Sequence, residues 1–272
     1  MKLKILQTTF FKQSTADSAQ VPPQSKVSIP AGMEFEVHSW KAIEKNHLRI
    51  ALLNKAVGNP PQNTWSVYAP HVQLTNARGQ VVPHNANQSP KVPDLGLGLP
   101  KSKSLNVPYH TQLNNAENPS GACNVTCYAM VMNYFKIPQR TNAMQMEDEL
   151  YRYMESRNLS RHEPADLAQM GRDYGLNVDL TLRGSLNDIR RAIAQGRPCI
   201  VHGYFTSFGH IIVIRGYDQR GFYVNDPYGE WFEDGYRNDF PGGNLYYSNQ
   251  LIQSKCSPEG SNYIWLHRLS KA

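Results

Sequence analysis

Three side chains, in the order thiol, imidazole, carboxylate, carry the chemistry this chain can do. Cys123 heads the run Cys123-Asn-Val-Thr-Cys-Tyr-Ala-Met-Val-Met-Asn-Tyr-Phe135. His210 follows a glycine in Gly209-His-Ile-Ile-Val-Ile-Arg-Gly-Tyr217, and Asp226 stands before Pro227 at the end of Gly221-Phe-Tyr-Val-Asn-Asp226. A cysteine nucleophile needs a base to share its proton and a third group to orient that base. Only the thiolate attacks well, so the thiol needs positive potential beside it. Residues 123–135 predict a helix entered through Pro119-Ser-Gly121, which puts Cys123 at the positive helix end. His210 would supply the imidazolium and later protonate a leaving amine. Asp226 would hold the far ring nitrogen. Gln112 would donate its side-chain amide to an oxyanion, together with the Cys123 backbone N–H.

Each residue has competing readings. Cys123 can be an ordinary core cysteine, His210 a satisfied strand histidine, Gln112 a loop residue, and Asp226 before Pro227 a turn former. His202 and His110 are rival bases, although His202 lacks a preceding glycine and reads as structural. Cys123, Cys127, His202 and His210 together are four zinc-type ligands. Zinc is disfavoured because the two cysteines sit four apart on a helix rather than in a tight knuckle, so no metal or other cofactor is expected. Cys127 reads as packing one turn below Cys123, and Cys199, in Pro198-Cys-Ile-Val201, as a small buried residue.

The elements that must position these groups fall into two parts. Residues 1–75 hold five short β-like runs, Leu3–Leu6, Lys26–Ile29, Phe35–His38, Leu48–Leu53 and Trp65–Leu74, separated by proline and glycine turns. They suggest a small all-β barrel. Residues 76–104 are broken by Pro, Gly and Asn and read as a linker. Residues 105–272 are long enough for their own core. Helices are expected at Cys123–Phe135, Met144–Arg157 and Pro164–Tyr174, and from Ser185-Leu-Asn-Asp188 to Gly196, where Asp188 replaces the usual Glu or Gln of a capping box. Strands are expected at Pro198–Gly203, His210–Tyr217, Gly221–Asn225 and Asn262–Leu269. Helices followed by an antiparallel sheet make the second part α+β.

Composition narrows the function. With 40% hydrophobic and 18% charged residues among 272, the chain is globular. The net charge of +6 is scattered without a dense basic run, so nucleic-acid binding gains no support. No apolar stretch is long enough for a transmembrane helix or a secretory signal. A cytoplasmic protein, or one released without a recognisable signal peptide, is expected, with its four cysteines reduced.

The pieces Val107–Gln112, Cys123–Phe135, Gly196–Gly203, Gly209–Tyr217 and Phe222–Gly229 together resemble papain-like cysteine peptidases of the bacteriocin-processing, double-glycine peptidase-like group. The resemblance implies a papain-like domain over 105–272 with a Cys123/His210/Asp226 triad and Gln112 in the oxyanion hole. Asn124-Val125 follows the cysteine where Gly-Pro is common in that group. No transporter accompanies the domain, so a bacteriocin-leader substrate does not carry over. Thr64–Leu74 resembles the closing strands of bacterial SH3-like modules, which commonly bind peptides or cell-wall material. The expected activity is amide hydrolysis through an acyl-thioester on Cys123, on peptides or peptidoglycan stem peptides, in a bacterial or phage protein. A non-catalytic peptide-binding scaffold and an acyltransferase using the same triad are the alternatives.

Overall fold

The structure, a computed structural model, describes residues 1–84 and 98–272. It divides into two compact units, the described residues of the first being 1–84 and 231–240, and those of the second 98–230 and 241–272. The central part of the expected 76–104 linker lies outside the described residues.

The first unit is a mostly antiparallel β structure. Its strands are β1 (Lys2–Ile5), β2 (Thr9–Lys12), β3 (Lys26–Ile29), β4 (Glu34–Ile43), β5 (His47–Leu52), β6 (Thr64–Tyr68) and β7 (Val72–Thr75). They form one sheet in the order β3-β2-β6-β5-β4-β1-β7. That order is an open path: among the described residues no pairing joins β3 to β7, so no closed barrel is seen. The expected single strand Trp65–Leu74 is split at Ala69–His71, a tight turn containing Pro70, whose missing N–H cannot join a ladder. Phe11, Phe35, Leu48, Ile50, Trp65 and Val67 lead the core. A later stretch of the chain, Trp231–Phe240, also belongs to this unit. There Lys41 Nζ donates to the Trp231 carbonyl at 2.9 Å and lies 4.5 Å from the Phe232 ring centroid.

The second unit begins with β8 (Lys103–Ser104), followed by α1 (Cys123–Tyr134), α2 (Met146–Ser156), α3 (Pro164–Asp173), β9 (Leu176–Gly184) and α4 (Leu186–Ala194). Then come β10 (Cys199–Gly203), β11 (His210–Tyr217) and β12 (Gly221–Asn225); the chain next forms the hairpin β13 (Glu230–Phe232) and β14 (Gly235–Arg237), which from Trp231 belongs to the first unit, and the second unit resumes with β15 (Leu245–Ser248), α5 (Asn249–Cys256) and β16 (Ile264–Lys271). The main sheet runs β15-β12-β11-β10-β16-β9, with β8 also paired to β11. Its pairs are antiparallel. This is the mixed α/β arrangement that helices followed by an antiparallel sheet predict.

α1 packs on β11, which brings the cysteine helix to the histidine strand. Asn124 through Met132 are all buried, so this helix has no solvent face over those positions. α3 packs on β9 and α1, while α5 lies against β10, β12 and β15. The four helices and four strands expected in this part all appear, with ends shifted by a residue or two. Beyond these the structure adds β8, β9, β13, β14, β15 and α5. The Ser185 hydroxyl accepts from the Asp188 N–H at 3.2 Å, and Asp188 Oδ2 accepts from the Ser185 N–H at 2.9 Å, completing the capping box.

Ser185→Ala removes a cap that satisfies an otherwise orphan helix N–H. It should cost about 1 kcal/mol, read as a lower denaturant midpoint for the second unit. An unchanged midpoint would mean that Asp188 alone suffices.

Candidate active site

Cys123 is the first residue of α1, and Ala122 before it makes no side-chain cap bond. The first N–H groups of a helix have no partner inside it, so the Cys123 N–H is a donor beside its own sulfur. No acidic residue sits in the first turn to oppose the macrodipole there. Asn124, where Gly-Pro is common in the resembling group, is buried. Its Oδ1 accepts from the Val125 N–H at 2.9 Å, and its Nδ2 donates to the Arg161 carbonyl at 2.7 Å. Asn124 thus satisfies one open helix donor and ties the helix start to the loop before α3. Arg161 returns the tie by donating to the Gly121 carbonyl at 3.1 Å and stacking on Tyr151.

His210 is the first residue of β11. The chain enters that strand through Gly209 at φ +83°, inside a turn closed by Thr206 Oγ1 donating to the Gly209 carbonyl at 2.7 Å. A side chain at this φ would be strained. The ring is buried, with Phe205 and Tyr228 beside it. Its Nε2 meets Asp226 Oδ1 at 2.7 Å, and its ring also hydrogen-bonds the Cys123 side chain. The carboxylate takes Nε2, which leaves Nδ1 to face the sulfur.

Asp226, just beyond β12, is fully buried, and the donors to its carboxylate include, besides His210, the Tyr228 N–H at 3.1 Å and the Tyr247 hydroxyl, which donates to Oδ2 at 3.0 Å. Its own N–H donates to the Gly242 carbonyl at 2.8 Å. A Cβ on Gly242 would run into the Asp226 carbonyl oxygen, so only glycine fits there.

Gln112 lies in a short 3-10 turn and is buried. Its backbone N–H donates to the Pro227 carbonyl at 2.9 Å, tying it to the residue after Asp226. Its Nε2 donates to the Pro119 carbonyl at 2.9 Å. A carbonyl can only accept, so this bond fixes the amide with its nitrogen toward Pro119 and leaves a second N–H. Gln112, Cys123 and His210 all line one cavity of about 520 Å³.

The rival groups lie elsewhere in function. His202 Nε2 is 2.8 Å from His267 Nε2, and burial lowers its pKa to about 4, so it is neutral near pH 7. His110 faces the buried Glu147 at 3.3 Å and Asn133 at 2.9 Å. Cys127 donates its thiol to the Ile211 carbonyl at 3.3 Å. All four cysteines are free. Burial pushes the thiols of Cys127, Cys199 and Cys256 upward, Cys199 to about 12, whereas Cys123 is partly exposed. Among the described residues no group of three or more His, Cys, Asp or Glu side chains could hold a metal ion. No helix among them is long and apolar enough to cross a membrane.

The structure therefore brings Cys123, His210, Asp226 and Gln112 to one place. It adds Tyr247 and Arg161, which sequence reasoning did not single out, and gives Asn124, read in the sequence only as a departure from Gly-Pro, a tie to the Arg161 carbonyl. Tyr247, in Leu245-Tyr-Tyr-Ser248, carries no local signal for its bond to Asp226.

The model of the Peptidase_C39 like family matches residues 104–250. That is more than half of the chain, and the protein belongs to this family. No curated protein sequence matches it significantly. Among solved structures, the chain is similar to a double glycine motif protease from an AMS/PCAT transporter, in complex with its leader peptide. That likeness has 18% identity and a TM-score of 0.41, covering 62% of this chain and 95% of the other. A Bacillus anthracis protein described as a C39-like peptidase gives 16% identity and a TM-score of 0.43, over 64% of this chain and 99% of the other. A Prevotella intermedia prointerpain A fragment gives 11% identity and a TM-score of 0.37, over 85% and 97%. These likenesses are loose, and membership rests on the family match.

Burial alone would lower the His210 pKa, but the Asp226 charge and hydrogen bond, joined by Cys123, outweigh it. The pKa rises from the ordinary 6.5 to about 10. A folded-state pKa above the unfolded one means the protonated ring stabilises the fold. That contribution is full below about pH 6.5 and is lost as pH rises through about 10. In an NMR titration the His210 ring signals should stay constant from about pH 6 to 8, and Asp226→Asn should bring the transition down. A wild-type ring titrating at the ordinary histidine value would overturn this reading.

Proposed function

We propose that the protein is a cysteine peptidase in which Cys123 is the nucleophile, His210 the proton carrier, Asp226 its orienter and Gln112 an oxyanion donor. The single observation that carries the proposal is the buried Asp226–His210 pair meeting a partly exposed Cys123 at a helix start, in a chain of a peptidase family.

The geometry supports the following sequence. The Cys123 thiolate attacks the scissile carbonyl carbon, forming a C–S bond and a tetrahedral oxyanion. The second Gln112 N–H and the Cys123 backbone N–H stabilise the oxyanion as its charge develops. The His210 imidazolium gives its Nδ1 proton to the departing amine as the C–N bond breaks. Water then attacks the acyl-thioester as neutral His210 removes a proton from that water, forming a second tetrahedral intermediate. Collapse of the second intermediate releases a carboxylic acid and regenerates the Cys123–His210 pair. Asp226 stays ionised and keeps the ring oriented throughout.

The substrate is a peptide amide, and stem peptides of peptidoglycan are one class to examine first. Support for a peptide comes from the family. The first unit is proposed as an SH3-like accessory module. Its β6–β7 segment, with Trp65 in the core, supports that reading.

The test needs no substrate. Alkylation of each cysteine by iodoacetamide at about pH 6, followed by mass spectrometry, should show Cys123 reacting far faster than the three buried thiols. His210→Ala should remove at least about tenfold of that advantage. Equal slow reaction in both proteins would sink the peptidase and favour a binding scaffold. Once a cleaved peptide is found, added amines appearing in the product would assign acyl transfer instead of hydrolysis.

A further inference from the structure

Both groups proposed to bind the oxyanion depend on one short loop. The Gln112 amide hangs on the Pro119 carbonyl, and the Cys123 N–H follows directly from Ala122. The chain between these two points is tight. The Gly121 N–H donates to the Asn118 carbonyl at 3.1 Å, and a Cβ on Gly121 would lie 2.7 Å from the Asn118 side chain. The last two carbonyls of the loop are held from outside it. Thr126 donates to the Ala122 carbonyl twice, from its N–H at 3.0 Å and from its hydroxyl at 2.8 Å. Arg161 donates to the Gly121 carbonyl at 3.1 Å.

A trans peptide is planar, with its C=O and N–H pointing opposite ways, so a held carbonyl also aims the N–H that follows it. Thr126 therefore aims the Cys123 N–H, and Arg161 fixes the peptide plane before it. The two planes meet at Ala122, whose φ of −92° and ψ of 13° lie in the sparsely allowed bridge region. Arg161 is itself braced. Its second terminal nitrogen donates to the Tyr151 hydroxyl at 2.7 Å, its guanidinium carbon lies 3.8 Å from the Tyr151 ring centroid, and its carbonyl accepts from Asn124 at 2.7 Å. Tyr151 is buried on α2, and the Ser160 N–H beside Arg161 donates to Asp166 on α3 at 2.8 Å. A guanidinium fork serves two partners in fixed directions, which the ammonium of a lysine does not reproduce.

We infer that Arg161 is a positioning residue for the oxyanion site: through the Gly121 carbonyl it sets the spacing between the Cys123 N–H and the Gln112 amide. The inference rests on the roles proposed for Cys123 and Gln112, and two reagents separate it from a merely structural role. Iodoacetamide alkylates the Cys123 sulfur by displacing iodide and forms no oxyanion. p-Nitrophenyl acetate acylates the same sulfur through a tetrahedral oxyanion, giving an acetyl-thioester and p-nitrophenolate. Both adducts are read on the Cys123 peptide by mass spectrometry. Both rates follow the same thiolate fraction, so their ratio at one pH cancels any change in the thiol pKa.

Arg161→Met should lower the ratio of acylation to alkylation by about tenfold or more. Arg161→Lys keeps the charge without the fork and should lower it nearly as far. Tyr151→Phe keeps the ring and removes the hydroxyl that anchors the guanidinium. It should lower the ratio less, and it reads the same quantity if Arg161→Met does not fold. A ratio unmoved in the variants, including an equal fall in both rates, or a ratio restored by lysine, overturns the positioning role and leaves the peptidase reading standing. A wild-type Cys123 slow toward both reagents sinks that reading and this inference with it.

Discussion

The burial of Asp226 governs the rest of the second unit. An ionised carboxylate without solvent exposure is costly unless charge and hydrogen bonds compensate it. Here a histidine, a tyrosine hydroxyl and a backbone N–H do so together. Each compensation imposes a constraint elsewhere. The histidine must come from the neighbouring strand of the sheet, the tyrosine from β15, and the backbone donor from the turn immediately after the aspartate. Gly242 must lack a side chain so that its carbonyl can reach the Asp226 N–H. A buried network of this kind is stable only when complete, so the geometry of the imidazole is set by packing as much as by chemistry.

The same region anchors the loop that carries Gln112. Asn225, next to Asp226, donates from Nδ2 to the Val107 carbonyl at 3.0 Å and accepts at Oδ1 from the Asn244 N–H. The Gln112 N–H reaches the Pro227 carbonyl. The loop carrying Gln112 is held from its other side by Asp148, whose Oδ1 accepts from the Ala116 N–H at 2.9 Å. Glu149, one residue on, accepts from the Arg140 and Thr141 N–H groups and from the Tyr174 hydroxyl. Buried acids at the start of α2 thus fasten loops, and their charge falls at the end of that helix where its dipole favours it.

The legible parts of the fold are those in which local pattern and tertiary role agree. Cys123–Tyr134 is apolar on every side because it is buried, and Ser185 with Asp188 writes a capping box that forms as read. β9 also has a pattern, since Leu176, Val178 and Leu180 alternate with polar residues. α5 has almost none: Asn249–Cys256 is polar, and its one sequence cue is Ser248, whose hydroxyl accepts from the Leu251 N–H. In the first unit, Trp65–Leu74 has strand composition throughout, and only Pro70 marks the break. At the site, Cys123, His210 and Asp226 announce themselves by residue type and position. Tyr247 and Asn124 do not, because their roles exist only once distant segments have met.

Cys127 shows why a second cysteine lies four residues after the first. Residues at i and i+4 share a helix face, so Cys127 points toward β11 along with Cys123. Its thiol donates to the carbonyl of Ile211, the residue after His210. A helix and a strand that merely pack can slide, whereas a directional bond between them fixes both separation and rotation. The placement of Cys123 beside His210 is therefore held one helical turn further along α1, by a thiol whose complete burial keeps it protonated and inert. The two thiols have the same chemistry and differ in surroundings: one is partly exposed at a helix start lining a cavity, and the other lies inside the core.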